Sequence, residues 1–130
     1  LTPLIGKTIT QLTFYHSSTT VFNYTSISTI NLGPTSLTEL PSSGAPAYTP
    51  TTVFVGALTR NANGTVTITL NTPYLYTGGN LMFNFVNPDG GNFSSASFYG
   101  VARTNCGRYN YNSTTTRVNF VPKVKFNVAP

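Results

Sequence analysis

Apolar and polar residues alternate along much of this chain with a period of two, and nowhere with the spacing of an amphipathic helix. TITQLTFYH (8–16) predicts a strand with Ile9, Gln11, Thr13 and Tyr15 on one face and Leu12 and Phe14 on the other. TVFNYTSISTINL (20–32) reads as extended chain, broken or bulged in its middle. TTVFVGALT (51–59) is a nearly continuous apolar run, which predicts a central strand. TVTITL (65–70) alternates cleanly, with Val66, Ile68 and Leu70 inward. NLMFNFVN (80–87) sets Leu81, Phe83 and Phe85, as core, against Met82, Asn84 and Val86. FSSASFYGVA (93–102) follows. In the closing run TRVNFVPKVKFNV (116–128), Val118, Phe120, Pro122, Val124, Phe126 and Val128 share one parity. Arg117, Asn119, Lys123, Lys125 and Asn127 share the other.

The links between these runs carry turn chemistry. NANG (61–64) ends in Asn-Gly, which accepts positive φ and predicts a tight hairpin between 51–59 and 65–70. NPDGG (87–91) does the same between 80–87 and 93–102, and YTGGN (76–80) is a further glycine turn. Residues 33–50 hold four prolines and no period, and read as a long surface loop. Pro122 removes one ladder donor, which marks an edge strand or a bulge. Short strands with a turn signal about every ten residues predict an all-β fold. The expected architecture is an antiparallel β-sandwich, Ig-like or jelly-roll-like, of about seven to nine strands. A barrel is the second choice. The length of 130 residues fits a single domain over 1–130.

Composition refines this picture. Only 7% of residues are charged, while Thr, Asn, Gly, Tyr and Phe abound, which is a strand-and-turn vocabulary. The net charge of +5 arises from seven basic and two acidic residues. The basic residues are scattered, so no nucleic-acid partner is expected. No apolar run reaches the roughly 18 residues of a membrane span. No signal peptide is visible, and the start at Leu1 is what a mature, processed chain or an excised domain would show. The neutral, hydroxyl- and amide-rich surface points to an extracellular or cell-surface setting.

Catalysis is not expected. The two carboxylates are Glu39, in the proline-rich loop, and Asp89, at a hairpin tip, and nothing in the pattern brings them together. His16 is the only histidine and Cys106 the only cysteine, so there is neither a zinc set nor an intrachain disulfide. Cys106 reads as a small packed thiol, or as half of an interchain disulfide. Calcium would have Asp89 with Asn84, Asn87 and Asn92, but an Asp-Gly turn explains that stretch more simply. No cofactor and no metal are expected.

Three non-catalytic features remain. Four sequons place candidate glycans at Asn23, Asn63, Asn92 and Asn112. Tyr74 and Tyr76, with Tyr109 and Tyr111, could stack on a carbohydrate, or could be core and rim aromatics. The terminal segments LTPLIGKTITQLTFY and VPKVKFNVAP are apolar and extended, and could pair with open sheet edges of other copies of the chain.

The run 51–91 resembles a β-sandwich domain of secreted and cell-surface Bacteroidetes proteins, a type that includes gingipain-like adhesin modules and repeats of type IX-secreted proteins. The matching positions are Val55-Gly56, then Leu70, Pro73, Tyr74, Tyr76, Gly78, Asn80 and Leu81. The opening strands and VPKVKFNV look like the same family's beginning and end. Thr77 stands where many members carry an acid, which argues against an ion site of the family's kind at this turn. The resemblance implies an extracellular adhesive or structural module without enzymatic activity. The expected function is thus a secreted structural or adhesive surface protein, a subunit of a self-assembling filament or surface layer, homo-oligomeric and bearing glycans. The alternatives are a carbohydrate-binding module of a secreted protein and a viral capsid or spike sandwich.

Overall fold

The computed structural model describes residues 2–17, 23–59, 61–86, 98–111 and 114–129. Every paired strand among them is antiparallel, and none of them is α-helical. A short 3-10 turn, Thr2–Leu4, precedes β1 (Thr8–Tyr15). The other strands are β2 (Asn23–Thr35), β3 (Thr51–Thr59), β4 (Thr65–Leu75), β5 (Asn80–Val86), β6 (Gly100–Val101), β7 (Gly107–Tyr111), β8 (Thr114–Val118), β9 (Val121–Pro122) and β10 (Val124–Ala129). They form two three-stranded sheets, ordered β10-β1-β4 and β3-β2-β5, with two small ladders, β6-β9 and β7-β8.

One apolar cluster joins the two larger sheets. Ile9, Leu12, Phe14, Val66, Ile68 and Leu70 come from the first, and Ile30, Leu32, Val53 and Leu58 from the second. This two-layer core is what the expected antiparallel sandwich requires. The inward set Val66, Ile68 and Leu70 is buried as its alternation predicts.

Four expectations need correction. First, 51–59 and 65–70 do not form a hairpin ladder. The tight turn exists, with Gly64 at φ +85° and its N–H donating to Asn61 O at 3.0 Å. Its two strands enter different sheets, because β3 pairs with β2 and β4 pairs with β1. The turn is a crossover between layers. Second, β3 is an edge strand of its sheet, and β2 is the centre. Third, the predicted parity of β1 fails at one point. A bulge between Ile9 and Gln11 interrupts the ladder on both sides, so Ile9 shares the buried face of Leu12 and Phe14. Fourth, the described residues hold ten strands where about seven to nine were predicted. The closing run divides into β8, β9 and β10, broken around Pro122, and GRYNY forms β7.

In β5, Leu81 packs on the core, while Phe83 and Phe85 lie on that same face but stay partly exposed at the sheet edge. Phe83 still reaches the Phe14 ring, with centroids 5.2 Å apart. Met82, expected outside, is 8% exposed. It sits opposite Gly33 on the outer face. There the backbone of Thr49 and the ring of Tyr48 press down on Gly33, so the proline-rich loop covers this end of the sheet. The NPDGG turn and residues 93–97 lie outside the described residues.

Candidate functional site

The outer face of the β3-β2-β5 sheet is built in three bands. Residues directly opposite in antiparallel strands share a face, as do residues two apart along a strand. Thr29 of β2 lies between Val55 of β3 and Val86 of β5. Val55 is 52% exposed and Val86 is 41% exposed. Ile27, two residues along β2 and within the register shift between Tyr24 and Ser28, is 59% exposed. Asn31 lies between Thr52 and Asn84 in the next band, and the Thr52 hydroxyl donates to Asn31 Oδ1 at 2.7 Å. The third band, Gly33 and Met82, lies beneath the loop. An apolar band thus faces water at one end, polar groups follow, and the chain covers its own far end.

The loop is held there by directed bonds. The Thr35 hydroxyl donates to Ala47 O at 2.7 Å, and Asn80 Nδ2 donates to Leu37 O at 2.9 Å. A second set arrives from the β7-β8 hairpin and the segment before it. Arg108 and Arg117 face each other across that ladder, where like charges repel. Each guanidinium finds a loop carbonyl: Arg108 donates to Pro41 O at 2.9 Å and Arg117 to Leu40 O at 3.5 Å. Asn105, left-handed at φ +53°, donates from Nδ2 to Glu39 Oε1 at 2.8 Å, and its own N–H donates to Asn119 Oδ1. The Cys106 thiol is half-buried, 3.5 Å from Thr38 O and 3.4 Å from Thr104 O. The polar groups of 103–119 therefore clamp the loop at 38–41.

The edge of β3 is also guarded. Asn71 of β4 places its Oδ1 on the Val55 N–H at 2.8 Å, so a side chain occupies one donor a further strand would need. β1 is the middle strand of its sheet, with β10 and β4 on either side. The N-terminal strand is thus paired within its own chain, whereas β10 is the outer strand of its sheet among the described residues.

The tyrosines of the glycine-turn stretch part company. Tyr76 is buried in the core cluster, and its hydroxyl donates to Gly79 O. Its backbone meets the N-terminal segment, donating to Lys7 O at 3.0 Å and accepting from Gly6 N at 2.8 Å. Gly78 and Gly79 take φ of +110° and +78°, which lets the chain fold back over that hydroxyl. Tyr74 is half-buried and packs against the core beside Ile9. Burial holds its phenol above the ordinary range, and the neighbouring Tyr76 adds to the shift. Tyr109 and Tyr111 occupy β7 opposite Thr116 and Thr114, and their side chains lie outside the described residues.

Among the sequons, Asn63 is exposed at the 61–64 crossover turn. Its Oδ1 accepts from Thr65 N at 3.2 Å and from the Thr65 hydroxyl at 2.7 Å. Asn23 opens β2, with its side chain outside the described residues, and Asn92 and Asn112 lie outside them altogether. Glu39 is exposed in the loop, and Asp89 is outside the described residues. His16 is buried edge-on to Phe98, with ring centroids 5.3 Å apart. The described residues contain no group of three or more His, Cys, Asp or Glu placed to hold a metal ion. They include no helix long and apolar enough to cross a membrane.

Sequence reasoning missed the exposed band, because 51–59 reads as buried throughout. The usable signal was Val86, which falls on the opposite parity to Leu81, Phe83 and Phe85. The clamp left no local signal, since Arg108 and Pro41 are 67 positions apart. No protein-family model, curated protein or solved structure matches the chain.

Proposed function

We propose that this chain is an extracellular, non-catalytic structural or adhesive β-sandwich that packs against copies of itself in a filament or surface layer. The observation that carries this reading is the pair of exposed valines, Val55 and Val86, set on either side of Thr29 on one sheet face, with exposed Ile27 nearby on β2. Water contact with such a band is unfavourable by about 25 cal/mol per Å² of apolar surface, and a second copy would relieve it. A chain with 7% charged residues has little long-range repulsion to oppose that contact. The outer position of β10 among the described residues gives a second route to neighbours, narrower than the terminal-strand pairing expected from sequence, because β1 is already enclosed. The resemblance of 51–91 to Bacteroidetes surface modules points the same way.

The test is association measured by light scattering and sedimentation over a wide concentration range, with electron microscopy of the assembled material. The wild-type chain should associate, and Val55→Lys with Val86→Lys should hold it monomeric without loss of fold. A wild-type chain that stays monomeric under all conditions sinks the proposal. So does assembly that the double substitution leaves untouched.

A further inference from the structure

The crossover turn at 61–64 has a chemical property that its role as a connection does not require. Asn63-Gly64 is the only Asn-Gly pair in the chain. Asn63 is exposed, and Gly64 has no side chain to shield its nitrogen from the preceding carboxamide. A main-chain N–H can only donate, so the bond from Thr65 N fixes Oδ1, not Nδ2, toward Thr65. The Thr65 hydroxyl donates to the same oxygen at 2.7 Å. Two donors therefore meet the atom on which negative charge would build if a nucleophile added to Asn63 Cγ.

From this geometry we infer that Asn63 is a site of spontaneous self-modification, at which the chain converts its own asparagine to aspartate and isoaspartate. The Gly64 nitrogen, having lost its proton to solvent base, bonds to Asn63 Cγ. The Cγ–Nδ2 bond then breaks, and Nδ2 leaves as ammonia after taking a proton from solvent. The five-membered succinimide so formed is opened by water at either carbonyl. One opening gives an ordinary aspartyl residue, and the other gives an isoaspartyl linkage that routes the main chain through the former side chain. Nothing is oxidised or reduced, and water is the only co-reactant.

One bond opposes the reaction. The Gly64 N–H donates to Asn61 O at 3.0 Å and must give up that partner before it can lose its proton. Thr65 is held to Asn61 by bonds that do not involve Gly64 N: its hydroxyl accepts from Asn61 Nδ2 at 3.0 Å and its carbonyl accepts from Asn61 N at 2.7 Å. The two products differ in consequence. The aspartyl product keeps an acceptor for Thr65 and leaves the turn its length. Isoaspartate lengthens the main chain of a tight link between two packed sheets, and either product lowers the net positive charge of a chain with only two acids.

The experiment ages purified protein at 37 °C at neutral and alkaline pH, with peptide mapping by mass spectrometry and isoaspartate detection. Conversion should appear first at Asn63, and its rate should rise with hydroxide concentration. Thr65→Val, which deletes one donor to Oδ1, should slow it by about threefold or more. Thr65→Ser, which keeps the hydroxyl, should match the wild type. In urea, where the turn is lost, all three rates should converge, which keeps the comparison decisive if Thr65→Val folds poorly. An Asn63 that keeps its amide while another asparagine reacts first overturns the assignment. A folded Thr65→Val that reacts as fast as the wild type overturns the part given to the Thr65 hydroxyl.

Discussion

Gly33→Ala tests how the proline-rich loop is seated. A Cβ built on Gly33 would lie 2.0 Å from Thr49 O, 2.7 Å from Thr49 C and 2.9 Å from Tyr48 Cδ2. Two of these three atoms are main chain, so no rotamer change relieves the overlap. Either the loop stays and the sheet strains, or the loop lifts. Strain from overpacking costs about 1–3 kcal/mol. Lifting the loop exposes Met82, whose burial contributes about 1.5–3 kcal/mol, and endangers the bond from Thr35 to Ala47. The two routes together predict a loss of about 1–3 kcal/mol. The urea midpoint should fall by on the order of 1–2 M with an unchanged slope. Limited proteolysis distinguishes the routes, since a lifted loop is cut within 36–50. Gly56→Ala is the control: its Cβ would meet only the far end of the Phe54 ring, at 2.9 Å, which a side chain can yield. A Gly33→Ala protein within about 0.5 kcal/mol of wild type, with its loop equally protected, would refute the reasoning.

Three further outcomes are expected. Ser28 is fully buried and its hydroxyl has no hydrogen-bond partner among the described residues, so Ser28→Ala should leave stability unchanged or raise it by about 1 kcal/mol in urea unfolding, and a clear loss would show a partner elsewhere in the chain. Tyr76→Phe should lower stability by about 1 kcal/mol, through loss of the bond to Gly79 O, and Tyr76→Ala by about 3–5 kcal/mol, through the core cavity. Tyr74 holds its proton more tightly folded than its ordinary value of 10.0, so the folded state binds more protons above that pH. Its stabilising contribution is complete below about pH 10 and falls away as pH rises through the raised value. Tyr74→Phe should therefore flatten the alkaline end of the stability profile, and an identical profile would exclude Tyr74 as its source.

β1 to β5 were legible because each is a local pattern. Val66, Ile68 and Leu70 alternate without interruption, and a strand's period of two turns that directly into a buried face. The glycine turns at 61–64 and 76–80 were legible for the same reason, since positive φ is a property of one residue and its neighbours. Burial of Tyr76 was left open in the sequence, because an aromatic beside a glycine turn can face inward or outward with equal local cost. Which way it points depends on Lys7 and Gly6, far away in the chain.

By itself, then, the sequence determined an antiparallel all-β chain, the glycine turns at 61–64 and 76–80 and most of one buried face, since these follow from backbone preference and side-chain alternation. Only the tertiary structure decided how the strands pair. Asn-Gly specifies a reversal of direction, but not whether the next strand joins the same sheet or the opposite one. That choice rests on long-range burial, which sends β3 to β2 and β4 to β1. The bulge at Ile9 and Gln11, the cover over Gly33 and Met82, and the arginine clamp on the loop have the same origin. Each depends on groups brought together by packing, and no local run of residues contains both partners.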